Sequence, residues 1–210
     1  MPKINFPRLA GVLLSAALVF TTVMAYTSQE VSNISSSVLR LHIIANSDSE
    51  ADQQLKLRVR DEIISSCSDL FENCQNAEQS QKIAADNIEY ITEVANQVIS
   101  ENGFDYSASC SVEQCRFPTK QYKNEYDGVI SLPRGMYTAL NIRLGQSEGQ
   151  NWWCVMYPPL CFVDGVATVN QESSNLLRSE LGDAEYELIT ESDSPGVQIK
   201  FKLAEVLGSL

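Results

Sequence analysis

The chain has 210 residues, with 15 Lys and Arg against 27 Asp and Glu, and a formal net charge of −12. An acidic surface of this kind repels nucleic acid and anionic lipid headgroups, which excludes a polynucleotide partner on electrostatic grounds. The length suits one domain with a sizeable core.

Lys3 and Arg8 form a positive start, the run Leu9 to Tyr26 carries no charge, and Val23-Met24-Ala25 offers a cleavage point. This pattern predicts a secretory signal over residues 1–25 cut after Ala25, or, uncut, an N-terminal anchor; both put the body outside the cytoplasm. Residues 26–37 are polar and serine-rich and read as a linker. A single domain is expected over 38–210.

Val38 to Ala45 reads as a strand, with Leu39, Leu41 and Ile43 alternating against Arg40, His42 and Ile44. Asn46 to Glu50 stops it. Ser47 with Glu50 three residues on has the form of a capping box, opening a helix that runs to about Leu70. Ala51, Leu55, Val59, Ile63 and Cys67 recur every four residues as its buried stripe, which places Lys56 and Arg60 on the outer side. A second helix is expected from Ala77 to Glu101, ended by Asn102-Gly103. From Tyr106 onward the signals are those of strands: Ser107–Phe117, Val129–Leu132, Met136–Leu144 and Trp152–Tyr157, with turns at Pro118, Asp127-Gly128, Pro133 to Gly135 and Gly145 to Gly149. Gln171–Leu181 reads as a short helix and Val197–Leu203 as a strand. The fold class is α+β: an N-terminal strand and a helical hairpin packed on a mostly antiparallel sheet.

Six cysteines in an exported chain point to disulfides. Proximity groups them as Cys67 with Cys74, Cys110 with Cys115, and Cys154 with Cys161, although spacing leaves the connectivity open. No Cys-x-x-Cys occurs and the single His42 is remote from all six, so no metal is expected. Nor is a cofactor. His42 is the one base available to a Cys154 nucleophile, but an exported cysteine with a partner seven residues away is more often oxidised than catalytic. The acidic groups Asp48/Glu50 and Glu191/Asp193 read as helix capping and as loop. No Gly-x-Ser-x-Gly, Walker or aspartic-protease signature is present, and no catalytic residue is assigned.

Asn151 to Phe162 holds both tryptophans. Pro158 and Pro159 exclude a helix there. Neighbouring strand residues face opposite ways, so one of Trp152 and Trp153 enters the core and the other lies at the surface. Packing and docking are both open readings. On the docking reading Trp152, Trp153, Tyr157, Pro158 and Pro159 are candidate partner contacts, because aromatic anchors dominate binding hot spots.

Three motifs then occur in order: Leu39 to Ser49 with Asp52-Gln53-Gln54-Leu55-Lys56 and Val59-Arg60-Asp61; Phe117-Pro118-Thr119-Lys120 with Pro133, Gly135, Tyr137 and Ala139-Leu140; and Asn151 to Phe162. Over residues 38 to 163 the chain resembles the stage II sporulation protein R family. The resemblance implies a signalling protein, not an enzyme, made in the forespore and exported into the space between forespore and mother-cell membranes. There such a protein triggers a membrane-embedded aspartic protease that removes the pro-segment of sigma-E. The competing expectation is a secreted cell-envelope hydrolase using Cys154 or a carboxylate pair.

Overall fold

The computed structural model describes residues 6–124, 128–160 and 168–190. Helix α1 (Phe6–Ser36) leads into strand β1 (Leu39–Ile44), followed by α2 (Glu50–Phe71), α3 (Ala77–Asp86) and α4 (Ile88–Glu101). Then come β2 (Ala108–Phe117), β3 (Lys120–Asn124), β4 (Gly128–Leu132), β5 (Gly135–Leu144), β6 (Asn151–Tyr157), β7 (Thr168–Val169), α5 (Gln171–Leu181) and α6 (Asp183–Thr190). The main sheet has the order β2-β5-β1-β6, and a smaller one has the order β4-β3-β7. The expected α+β class holds. β1 lies inside the main sheet, parallel to β5 and antiparallel to β6.

The alternation in β1 is the organising pattern. Leu39, Leu41 and Ile43 are fully buried together with Leu55, Val59, Ile63 and Cys67 of α2 and Ile91, Ala95 and Ile99 of α4. Arg40 and His42 point to the other face. The β5 partners continue both sets, with Leu140 and Ile142 on the helix side and Ala139 and Asn141 opposite.

Several expectations are corrected. Residues 26–37 are not a linker: α1 continues through Ser36, Ile34 is fully buried, and the Asn33 amide donates to Glu185 Oε1 at 3.1 Å. The cap of α2 is Ser49, whose hydroxyl accepts from Asp52 N–H at 3.2 Å, while Ser47 donates to the Asp52 carboxylate instead. Lys56 and Arg60 are buried toward β6. The expected helix 77–101 is broken at Asn87, whose φ of −107° and ψ of 17° leave the helical region, while its side-chain amide donates to Ile83 O at 2.8 Å. Strand β3 and helix α6 have no counterpart in the sequence reading, and the strand expected over Val197–Leu203 lies outside the described residues. Among the described residues no helix is long and apolar enough to cross a membrane. The export reading of residues 1–25 rests on their sequence.

Because Ile34 fills the core under β5 and α6, Ile34→Ala should cost about 2–5 kcal/mol of stability. Urea denaturation of the full-length protein measures it, and a loss below about 0.5 kcal/mol would show that the end of α1 is not part of the folded unit.

Candidate partner-binding face

Two polar devices hold β6 in place. The first joins the β1–α2 connection to the β5–β6 turn. Asn46 Oδ1 accepts from Gln146 N–H at 2.9 Å and Asp48 Oδ1 from Gln150 N–H at 2.8 Å. The backbone N–H groups of Glu148 and Gly149 donate to Asn46 O and Ala45 O. Lys56 Nζ donates to Gln150 O at 3.0 Å and to Gln53 Oε1 at 2.6 Å. Beneath them sits the Asp52 carboxylate. Burial alone would raise its pKa, but hydrogen bonds from Ser47 and Tyr106 (each 2.5 Å), Asn46 (3.0 Å) and Ser49 hold it down at about 2. A Cβ on Gly149 would lie 2.2 Å from Ser47 O, so this turn must carry glycine there.

The second device is Arg40. Its side chain is fully buried, with Nε donating to Cys154 O at 2.8 Å and Nη2 to Tyr122 Oη at 3.1 Å. Its guanidinium carbon lies 4.2 Å from the Phe117 ring centroid and 4.9 Å from that of Tyr137. Tyr122 belongs to β3, so the small sheet covers the Arg40 end of this face.

At the other end the face opens. β1 and β6 pair His42 with Trp153, and the two rings stack at 3.8 Å with 10° between their planes. Phe117 meets both edge-on, at 6.0 Å and 4.7 Å. His42 Nε2 donates to Asn151 Oδ1 at 2.7 Å, leaving Nδ1 as a buried lone pair with no partner among the described residues. Burial depresses the His42 pKa, partly offset by the Asn151 bond; Arg143 lowers it further and Glu113 raises it. Arg143 and Glu113, an ion pair on the same face, are both about two-fifths exposed. Glu113 also accepts from Asn141. The result is a half-open aromatic plate, Trp153 on His42, rimmed by Asn151, Arg143 and Glu113.

The candidate contacts divide. Trp153 is partly exposed on this plate. Trp152 points to the helix side, where the Arg60 guanidinium lies 4.3 Å from its ring and is itself 2.6 Å from the Asp61 carboxylate. Tyr157 and Pro158 are buried, and the Tyr157 hydroxyl donates to Cys74 O at 3.1 Å. Simple alternation would put Tyr157 beside Trp153. The register instead shifts where Arg40 pairs with Val155 but Leu39 with Tyr157, and this bulge turns Tyr157 to the helix side. Pro159 is exposed and, with Met156, Phe71 and Leu176, lines a cavity of about 460 Å³ between α2, α5 and the end of β6.

The cysteines divide as well. Cys154 is 3 % exposed, disulfide-bonded, and paired with Leu41, so it faces away from His42. That overturns a Cys154–His42 dyad. Cys161 lies outside the described residues. Cys67, Cys74, Cys110 and Cys115 are free thiols, which corrects the two local pairings. Cys110 and Cys115 stand five residues apart on one strand, so they face opposite ways at about 17 Å, beyond the reach of a disulfide. Cys67 points from α2 into the core, whereas Cys74 lies beyond the helix end, against Tyr157. Among the described residues no group of His, Cys, Asp and Glu could hold a metal ion.

Many of the residues that build the two devices and the plate are those of the sequence motifs: Arg40, His42, Asn46, Ser47, Asp52 and Lys56 from the first, Phe117 and Tyr137 from the second, Asn151, Trp153 and Cys154 from the third; Tyr106, Tyr122, Gln146 and Gln150 lie outside them. The family described as stage II sporulation protein R matches residues 35–167. The chain belongs to the stage II sporulation protein R family. It is 33% identical, over 215 residues, to stage II sporulation protein R of Bacillus subtilis (strain 168), covering 94% of this chain and 93% of that protein. No solved structure matches it. Membership makes it a sporulation protein.

Gly149→Ala should cost about 1–3 kcal/mol, since Ser47 O is backbone and has nowhere to move. A thermal melt unchanged from the parent would show that the turn can shift. Stability should also fall in two acid steps. His42, depressed in the folded state, loses stability as pH drops below about 6.5, where the unfolded chain protonates first. Asp52 contributes stability that is full above about 4 and lost as pH falls toward about 2. Urea midpoints across pH 7 to 2 test this, and His42→Gln should remove the upper step alone.

Proposed function

We propose that this protein is an exported sporulation signal that acts by binding: it engages a membrane-embedded aspartic protease and favours the state that processes pro-sigma-E. The observation that carries the reading is membership of the family over residues 35–167. The N-terminal export pattern and the acidic body agree with it. A binding role needs an accessible anchor on a rigid base, and Trp153 stacked on His42 supplies one, because its ring is already immobilised before a partner arrives. Ligand-driven activation then requires only that the protein bind the active protease state more tightly than the inactive one.

The hydrolase reading loses its thiol, since Cys154 is oxidised and turned away from the one histidine.

Co-expression with the candidate protease and its sigma precursor, reading out removal of the pro-segment, tests the reading. Trp153→Ala should lower binding by at least about 2 kcal/mol, roughly thirtyfold, with the fold intact. Trp152→Ala should instead reduce stability, because it strips the ring from the buried Arg60. Processing unchanged by Trp153→Ala in a folded, exported variant would remove this face as the docking surface. No processing with the parent protein would remove the activator reading itself.

A further inference from the structure

Strand β2 is the open side of the main sheet. It pairs with β5 along its ten residues without a register shift, and among the described residues no strand pairs with its other side. Only its two ends, Ala108 and Phe117, are buried. Alternate residues of such a strand turn their N–H and C=O groups outward, which is a template for a further strand. Proteins guard edges of this kind with bulges, proline, lysine or short length. β6, at the opposite edge, is bulged against β1 and buried from Cys154 to Tyr157, and β4 and β7 are five and two residues long. β2 has none of these guards, and its only charged residues are Glu113 and Arg116.

Beside this edge lies a cleft of about 800 Å³ between the end of α1, the start of α3 and the β2–β5 pair. Gln114 of β2 lines it and donates to Thr138 Oγ1 at 2.7 Å. The walls are mostly hydroxyls and carboxamides, with two carboxylates, Glu78 and Glu180, and no basic side chain. Arg116, the one base of β2, does not line it. Burial raises the Glu180 pKa, and Ala77 N–H, donating to its Oε2 at 3.2 Å, offsets this only in part. A cation in the cleft would stabilise the carboxylate further. On the other face of β2, Glu113 rims the Trp153 plate, so a strand added here would continue the same surface.

We propose that β2 takes up an extended segment of the protein partner as a fifth strand of the main sheet, with a lysine or arginine of that segment in the cleft. Main-chain hydrogen bonds along β2 supply the affinity, and the cleft with its two carboxylates selects the side chain. A second copy of this chain is the poorer occupant, because joining two β2 edges would bring together two molecules that each carry a net charge of −12. The proposal deepens the binding reading above and rests on it for its purpose.

The test is residue-resolved amide hydrogen exchange on the full-length protein. The probe is a ten-residue peptide alternating valine and threonine, with lysine at two central threonine positions; its counterpart carries glutamate there. In the free protein alternate amides of Ala108–Phe117 should exchange fast, and the lysine peptide should slow those same amides, less so as salt rises. The glutamate peptide should leave them fast. Glu78→Lys, at an exposed position, should weaken binding of the lysine peptide severalfold and leave the thermal melt unchanged. Outward amides untouched by the lysine peptide, or slowed equally by both peptides, overturn the proposal. Outward amides already slow in the free protein overturn it too. Slowing that grows with protein concentration would assign the edge to a second copy, and slowing lost on removal of residues 191–210 would assign it to the chain's own C-terminal segment. A failed peptide result leaves the Trp153 plate standing, whereas failure of the parent protein to support processing removes the activator reading and leaves the peptide result as it is.

Discussion

A guanidinium with no water around it has to be held by something, and Arg40 is held without a carboxylate among the described residues. Two rings, a carbonyl and a phenol hydroxyl take the place of a counter-ion, and Nη1 has no hydrogen-bond partner among the described residues. Isolated buried charge is expensive, and removing any one of these partners leaves the cost uncompensated. The arrangement therefore dictates its neighbours. Phe117 must end β2 where it does, Tyr137 must lie beside it, with its hydroxyl on Pro133 O at 2.6 Å, and β3 must bring Tyr122 across the sheet. Cys154 O is drawn toward Arg40, at the point where the β6 register shifts.

The same side of β1 explains why the binding plate is rigid. Arg40 anchors the closed end and the Asn46–Asp48–Asp52 contacts anchor the open end. Trp153 and His42 lie between two fixed points. A side chain held in this way loses little freedom on binding, which is the usual cost of an aromatic contact.

Much of this was legible in the residues. Alternation located β1, β2, β5 and β6 within a residue or two, and the four-residue stripe of α2 named its buried side from Leu55 to Cys67. What alternation does not encode is strand order, so the parallel β1–β5 pair was invisible. It also assumes an unbroken period: one bulge in β6 sent Tyr157 to the opposite face from the one expected. Lys56 and Arg60 looked like outer-face residues because they are charged; their long apolar stems and backbone or ring partners make burial tolerable. Proximity in sequence misled for Cys110 and Cys115, because a strand carries such neighbours apart and turns them to opposite faces. The end of α1 read as a linker because its serines hide a single deciding residue, Ile34.

The position of β1 bears on how the chain comes to be folded at all. Both of its neighbours in the sheet are about 100 positions or more downstream, at Ala139 to Arg143 and at Asn151 to Tyr157. Contacts that distant must wait for their partners and pay for closing a long loop first. A chain emerging from its N-terminus, whether from a ribosome or through a membrane, holds β1 unpaired until β5 has appeared, and open on its other edge until β6 follows. The first strand made is then among the last to be sealed, and the molecule stays threadable for most of its passage.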